Sequence, residues 1–242
     1  SFTSPNLESS YTPQGVIHDT NLNAAFIAQQ LSRLGDVNES YSYWTFGDVF
    51  EELGVPFTPF HGGFGLVANG CITKPTFWTF AFYKKLEESE ANCVYKDDNI
   101  VVLKRANGDY LGVAWNIARK STEQGKEKML LEFTFPAEQE EYCFLTKTVD
   151  EETCNPLKVW HDMGEPANLS EEQTKLLRES SRPFVKTERK KQEDGNICVE
   201  LPVNENGVVY FELNAGKVNP DRGYDYDRVV SRSEERRVGK EC

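Results

Sequence analysis

The stretch from Ser42 to Leu66 sets the terms for the whole chain. It opens on an apolar, aromatic run, Tyr43-Trp44-Thr45-Phe46, and passes through Gly47 into the acids Asp48, Glu51 and Glu52. A Pro/Gly-rich loop follows: Gly54-Val55-Pro56, then Phe60-His61-Gly62-Gly63-Phe64-Gly65-Leu66, with one of the chain's three histidines. A buried strand whose C-terminal end opens into a polar, aromatic loop is how a (β/α)8 barrel builds its active face. Aromatic rings beside carboxylates suit a sugar, because the ring face stacks and the carboxylates accept hydrogen bonds from hydroxyls. The alternative is a core strand followed by a solvated acidic turn.

The flanking segments fit the barrel reading. From Thr20 to Leu34 the apolar residues Leu22, Ala25, Phe26, Ile27, Leu31 and Leu34 follow helical spacing. Asp19 or Thr20 is the expected cap, and Gly35 follows the end. Ser40 to Phe46 reads as the buried strand, so helix precedes strand. Lys74 to Glu88 reads as a second helix, rich in Phe77, Trp78, Phe80, Phe82 and Tyr83, with Pro75 tolerated in its first turn. Those aromatics are expected to pack the helix onto the barrel.

Composition shifts after Glu90. Short β-rich runs follow: Val94-Tyr95, Ile100 to Lys104, Tyr110 to Trp115, Met129 to Phe135, Glu141 to Lys147, Ile197 to Leu201 and Val208 to Leu213. Turn signals at Asn107-Gly108-Asp109 and Asn206-Gly207 separate some of them. This punctuation predicts an antiparallel β-sandwich. One helix interrupts it, announced by the capping box Ser170 to Gln173 ahead of Leu176-Leu177. Glu188 to Asp194 reads as a charged loop. The expected fold is therefore the C-terminal end of a (β/α)8 barrel, residues 1–90, followed by a β-sandwich domain, residues 91–231.

Bulk properties narrow the partners. The chain has 242 residues and a net charge of −12, which disfavours nucleic acid and anionic membranes. No apolar run reaches the length of a membrane span. Its length falls short of a complete barrel of about 250 residues plus a second domain, so a longer parent protein is expected. The six cysteines, Cys71, Cys93, Cys143, Cys154, Cys198 and Cys242, form no Cys-x-x-Cys pair and no zinc-like spacing with histidine. Free thiols in a reducing compartment are the expectation, which favours the cytoplasm. No residue cluster asks for a metal or cofactor.

Ser42-Tyr43-Trp44-Thr45-Phe46-Gly47-Asp48-Val49-Phe50-Glu51-Glu52, followed by Pro59-Phe60-His61-Gly62-Gly63-Phe64-Gly65-Leu66, resembles the last barrel strand and loop of glycoside hydrolase family 39, the β-xylosidase family. The likeness extends upstream through Ser9-Ser10-Tyr11-Thr12-Pro13, Ile17-His18-Asp19-Thr20 and Asn23 to Ala28, and downstream to Lys74-Pro75-Thr76-Phe77. Weaker likeness runs past Ala114-Trp115-Asn116 and Trp160-His161-Asp162-Met163-Gly164.

The resemblance implies a retaining glycosidase with two carboxyl groups about 5–5.5 Å apart, one nucleophile and one acid/base. The family's acid/base glutamate lies on an earlier strand that this chain does not contain. Its nucleophile lies in a Thr-Glu-Phe segment just ahead of Ser-Ser-Tyr, where this chain has Pro5-Asn6-Leu7. Asn6 at that position cannot form a glycosyl-enzyme ester. Proline is also poor in a buried parallel strand. A reading-frame shift accounts for both: TCA CCG AAT TTG encodes Ser-Pro-Asn-Leu, and one base earlier, after a Thr codon ending in A, it reads Ile-Thr-Glu-Phe. The alternatives are a true replacement or an unrelated N-terminus. At the other end, Arg232 to Cys242 resembles the translation of a sequencing-library adapter and is excluded from fold reasoning.

By the same resemblance, Trp44 is the platform beneath the sugar at the cleavage subsite, and Glu51 or Glu52 accepts its hydroxyls. Tyr11 is placed to hydrogen-bond the nucleophile and His61 to line the rim. The implied substrate is a short xylo-oligosaccharide or an aryl or alkyl xyloside, and a homo-oligomeric parent stays open. Two other readings compete. One is a non-catalytic carbohydrate-binding or assembly protein. The other is a relative of α-L-iduronidase, whose acidic substrate sits badly with Asp48, Glu51 and Glu52. The chain itself is expected to be inactive.

Overall fold

The computed structural model describes residues 15–34, 42–49, 58–117 and 128–216. Helix α1 spans Asn21–Leu34 after a 3-10 turn at Gly15–Asp19. A small antiparallel pair, β1 (Val67–Ala68) and β2 (Ile72–Thr73), leads into α2 (Pro75–Glu88), which starts on Pro75 as its sequence demands. The β-rich half contains β3 (Asn92–Lys96), β4 (Ile100–Lys104), β5 (Tyr110–Trp115), β6 (Met129–Pro136) and β7 (Glu141–Val149). It continues through helices α3 (Pro156–Asp162) and α4 (Glu171–Ser180) to β8 (Phe184–Lys191), β9 (Asn196–Val203) and β10 (Val208–Ala215). Six strands form one antiparallel sheet in the order β3-β4-β5-β10-β7-β8, and β6 pairs with β9.

The central strands are buried on both faces, which is why they read as unbroken apolar runs. Val101, Leu103, Leu111, Val113, Trp115 and Tyr210 point at Ala24, Ala25 and Ala28 of α1 and Phe82 and Leu86 of α2. Their alternate neighbours, Ile100, Val102, Tyr110, Ala114, Val209 and Phe211, pack on Phe135, Ile197, Val199 and Leu201 of the β6–β9 pair. Strand β9, covered on one side only, keeps a strict alternation of buried and exposed residues. The mixed α/β architecture with antiparallel sheets thus shows in the sequence as apolar runs in the central strands and alternation in β9.

Three local readings change. Glu188 to Lys191, expected in a charged loop, belong to β8, an edge strand paired only with β7 and rich in lysine. A second helix, α3, joins α4; Pro156 opens it, and the Asn155 side chain accepts from the Lys158 N–H. The strand expected over Ser40 to Phe46 is not formed where it is described. Residues 42–49 make one parallel bridge, Gly47 to Val67, and Trp44, Phe46 and Val49 are exposed by 58, 70 and 77%. A barrel strand needs a partner on each edge; among the described residues, 45–48 find theirs only in 64–67.

Five cysteines in the described residues are free thiols. Cys154 is buried, donates to the Ser181 carbonyl at 3.1 Å, and burial, aided by Asp150, drives its thiol far above the ordinary range. Iodoacetamide near pH 8 is therefore expected to label Cys71, Cys93, Cys143 and Cys198, with Cys154 reacting only on unfolding. Labelling of Cys154 at the rate of the others would show that this core does not form.

Candidate active-site clamp

Lys74 precedes a proline, so its backbone is extended (φ −82°, ψ 161°) and its side chain leaves the start of α2 toward the interior. Its Nζ lies 2.6 Å from Asp19 Oδ1, 2.6 Å from Asp48 Oδ2 and 2.8 Å from the Gly63 carbonyl. All three charged side chains are fully buried. The carboxylates use their other oxygens on the loop: Gly62 N–H donates to Asp19 Oδ2 at 2.7 Å and Gly65 N–H to Asp48 Oδ1 at 2.6 Å. Gly62 has φ +78°, the left-handed region that glycine enters freely. A Cβ at Gly65 would stand 2.5 Å from the Asp48 backbone nitrogen. The glycines of the loop are thus explained by the clamp that grips them.

Opposing forces act on the three charges. Burial alone pulls the Lys74 ammonium down, but Asp19 and Asp48 outweigh it and hold it above the ordinary lysine value. Burial raises the Asp48 carboxyl, with Lys74 offsetting only part of the rise. One ammonium cannot neutralise two carboxylates, so the shortfall falls on Asp48.

The clamp fixes a backbone ladder. Thr45 N–H donates to the Phe64 carbonyl (3.2 Å), Val67 N–H to that of Phe46 (3.0 Å), and Asp48 N–H to that of Val67 (3.0 Å). Trp44 stands at the head of this ladder with its side chain exposed. His61 precedes Gly62 and is half-buried; its Nδ1 donates to the Thr58 carbonyl at 3.1 Å. Behind the loop, Phe60 packs edge-on against Trp160 of α3 at 5.7 Å, and Ile72 and Leu177 share the same small core.

Of the residues singled out in the sequence, the structure brings Trp44 and His61 onto two segments joined by this ladder. Asn6, Tyr11, Glu51 and Glu52 lie outside the described residues. Asp19 does not cap α1, because its carboxylate is taken by Lys74 and Gly62. Asp48 fixes the turn from a fully buried side chain. Sequence reasoning missed Lys74. The signal was available: a lysine between Thr73 and Pro75, ahead of an aromatic helix, has no route to solvent if that helix start is buried.

Among the described residues, no helix is long and apolar enough to cross a membrane, and no group of three or more His, Cys, Asp and Glu side chains is placed to hold a metal ion.

The family model for glycosyl hydrolases family 39 matches residues 2–198. A beta-xylosidase of Geobacillus stearothermophilus is 38% identical over 204 residues, covering 84% of this chain and 39% of the relative. One from Caldicellulosiruptor saccharolyticus is 31% identical over 212 residues, covering 85% of this chain and 43% of the relative. The crystal structure of the GH39 enzyme from Xanthomonas axonopodis pv. citri superposes with a TM-score of 0.72 at 26% identity, over 86% of this chain and 44% of that one. The chain thus spans about two-fifths of the length of the curated relatives it matches. Matched over most of its length by the family model, the chain belongs to the family 39 glycosyl hydrolases.

Proposed function

We propose that this chain contributes one wall of the active site of a retaining β-xylosidase, which releases xylose from the non-reducing ends of xylo-oligosaccharides. Residues 1–90 are the closing part of a (β/α)8 barrel and 91–231 an accessory β-sandwich; 1–7 are an out-of-frame reading of the nucleophile strand, and 232–242 an adapter artefact. The observation that carries the reading is the exposed Trp44 ring at the head of a backbone ladder locked by a buried ion cluster. An exposed indole on a rigid support is what a sugar face stacks on. Glu51 or Glu52 accepts the hydroxyls, Tyr11 steadies the nucleophile, and His61 lines the rim. Asp48 is spoken for by Lys74, so the argument against an acidic, iduronide-type substrate rests on Glu51 and Glu52. The parent protein acts in the cytoplasm on small xylosides.

The test is release of p-nitrophenol from the aryl β-xyloside. The chain as it stands is expected to give the buffer rate, because Asn6 replaces the nucleophile; measurable xylose release would sink that claim. In a polypeptide completed with the family's upstream strands, Trp44→Ala is expected to lower kcat/KM roughly 30-fold. That corresponds to the ~2 kcal/mol lost when a buried aromatic anchor is truncated.

A further inference from the structure

The loop that carries His61 is held from behind by a part of the β-rich half. Between β7 and β8 the chain makes a two-helix insertion, α3 and α4. Its Leu157, Trp160 and Leu177 form one buried cluster with Phe60, Ala68 and Ile72 of the loop and its hairpin. Trp160 is 7% exposed and Phe60 4%, and the two rings meet edge-on at 5.7 Å. The indole is tethered, because its Nε1 donates to the Pro166 carbonyl at 3.1 Å. Helix α4 and its cap hold the far end. Arg178 Nε donates to the Gly70 carbonyl at 2.8 Å. Thr73 donates to the Ser181 hydroxyl at 2.9 Å, and Ser181 donates in turn to the Arg178 carbonyl at 2.9 Å. Trp78 of α2 donates to the Ser181 carbonyl at 2.6 Å. Phe60 immediately precedes His61, and Thr73 immediately precedes Lys74. The insertion therefore grips the chain one residue before the loop histidine and one residue before the clamp lysine.

We propose that the α3–α4 insertion sets the position of the sugar-facing residues, with Trp160 as a positioning residue that acts on His61 through Phe60. The inference rests on the reading of Trp44 and His61 as sugar contacts. The clamp fixes only the middle of the loop, at Gly62, Gly63 and Gly65. Glycines leave the backbone its widest choice of conformations, so the stretches beyond those points need support from outside. Phe60 and Thr73 receive it from the insertion. The ladder then passes the position on: Thr45 N–H donates to the Phe64 carbonyl at 3.2 Å and Leu66 N–H to the Thr45 carbonyl at 3.1 Å, one residue from Trp44. A displacement of about 1 Å, caused far from the chemistry, can cost an enzyme on the order of 100-fold in rate. The β-rich half is thus part of the binding apparatus, which is complete only when α3 and α4 are folded against the loop.

The experiment compares the whole chain with four variants, by NMR of the His61 ring and the Gly62 amide and by titration with xylobiose. Trp160→Ala is expected to shift both signals, to speed hydrogen exchange at Gly62 about tenfold, and to weaken xylobiose binding about tenfold. Trp160→Phe keeps a ring against Phe60. It should return the signals and the binding toward wild type, while its melting temperature stays lower for want of the bond to Pro166. Val199→Ala opens a cavity in the core on the other face of the sheet. It should lower the melting temperature and leave the His61 and Gly62 signals in place, which separates positioning from stability. Arg178→Ala, at an exposed position, releases the Gly70 end and should weaken binding severalfold with the core intact. It decides the matter if Trp160→Ala does not fold. Unmoved His61 and Gly62 signals in Trp160→Ala, equal movement in Val199→Ala, or unaltered binding in Arg178→Ala would overturn the proposal. A wild-type chain that does not respond to xylobiose removes the sugar-contact reading instead; the His61 and Gly62 signals, read without sugar, still show whether Trp160 holds the loop.

Discussion

Replacing Lys74 with methionine is expected to lower the unfolding free energy by about 3–5 kcal/mol, the cost of stripping one partner from a buried ion pair. Methionine keeps the length and fills the channel. What is lost is the ammonium 2.6 Å from Asp19 and 2.6 Å from Asp48. Both carboxylates have fully buried side chains, so neither can turn to water. The loop should come free with the cluster, because Gly62 and Gly65 donate to those same carboxylates. Urea denaturation measures the loss, and hydrogen exchange at the Gly62 and Gly65 amides locates it. A loss below about 1 kcal/mol, the value of an exposed pair, would show that the cluster is solvated.

The same variant has a pH signature. Lys74 is held above the ordinary lysine value, so it contributes stability until alkaline pH and loses it as pH climbs through the raised value. Asp48, raised by burial against the pull of Lys74, binds its proton more tightly folded than unfolded. Its contribution is therefore fullest in acid and falls as pH rises through that raised value. The difference in melting temperature between the wild type and Lys74→Met should be widest between about pH 6 and pH 9. It should shrink above about pH 11, where lysine discharges, and as pH falls through the raised value of Asp48, where its carboxyl takes up a proton. A difference independent of pH would assign the effect to packing.

The fold was legible where burial leaves its mark on the sequence. Tyr110 to Trp115 and Val208 to Leu213 read as strands because each face meets a packed layer, and Ser170 with Gln173 announced α4 by a cap that forms as written. Legibility failed where a charged residue does the work of structure. Glu188 to Lys191 carry edge-strand charges that imitate a loop, and their pairing depends on β7, far away in the chain. Ser40 to Phe46 carries an apolar pattern that fits a strand, but pattern alone supplies no neighbours, and the described residues 42–49 make a single bridge. At the site, Trp44 and His61 were singled out by residue type and by the family resemblance, and the structure sets them on two segments joined by one backbone ladder. Lys74 and Asp19 were not. Their roles exist only once three segments, separated by up to 55 residues as Asp19 is from Lys74, close around a shared charge.

The largest effect on chemistry is expected at position 6. A polypeptide completed with the family's upstream barrel strands and reading Thr-Glu-Phe across positions 5–7 should hydrolyse an aryl β-xyloside at least ~10⁴ times faster than the same polypeptide with Pro5-Asn6-Leu7. An amide has no anionic oxygen to attack the anomeric carbon, and its glycosylated form cannot be turned over as an ester, so both steps of the double displacement stop. The loss at kcat should equal the loss at kcat/KM, since the nucleophile bonds only in the transition state, while xylobiose binding at Trp44 should survive. Added azide offers a sharper reading. It should restore turnover in a chain whose only defect is the missing carboxylate, with an azide group in place of the enzyme ester. A chain in which Pro5 has also displaced the strand should not respond, because a proline inside a parallel ladder removes a backbone donor and shifts its neighbours. Equal rates for the two sequences would remove position 6 from the mechanism and, with it, the frameshift account of residues 1–7.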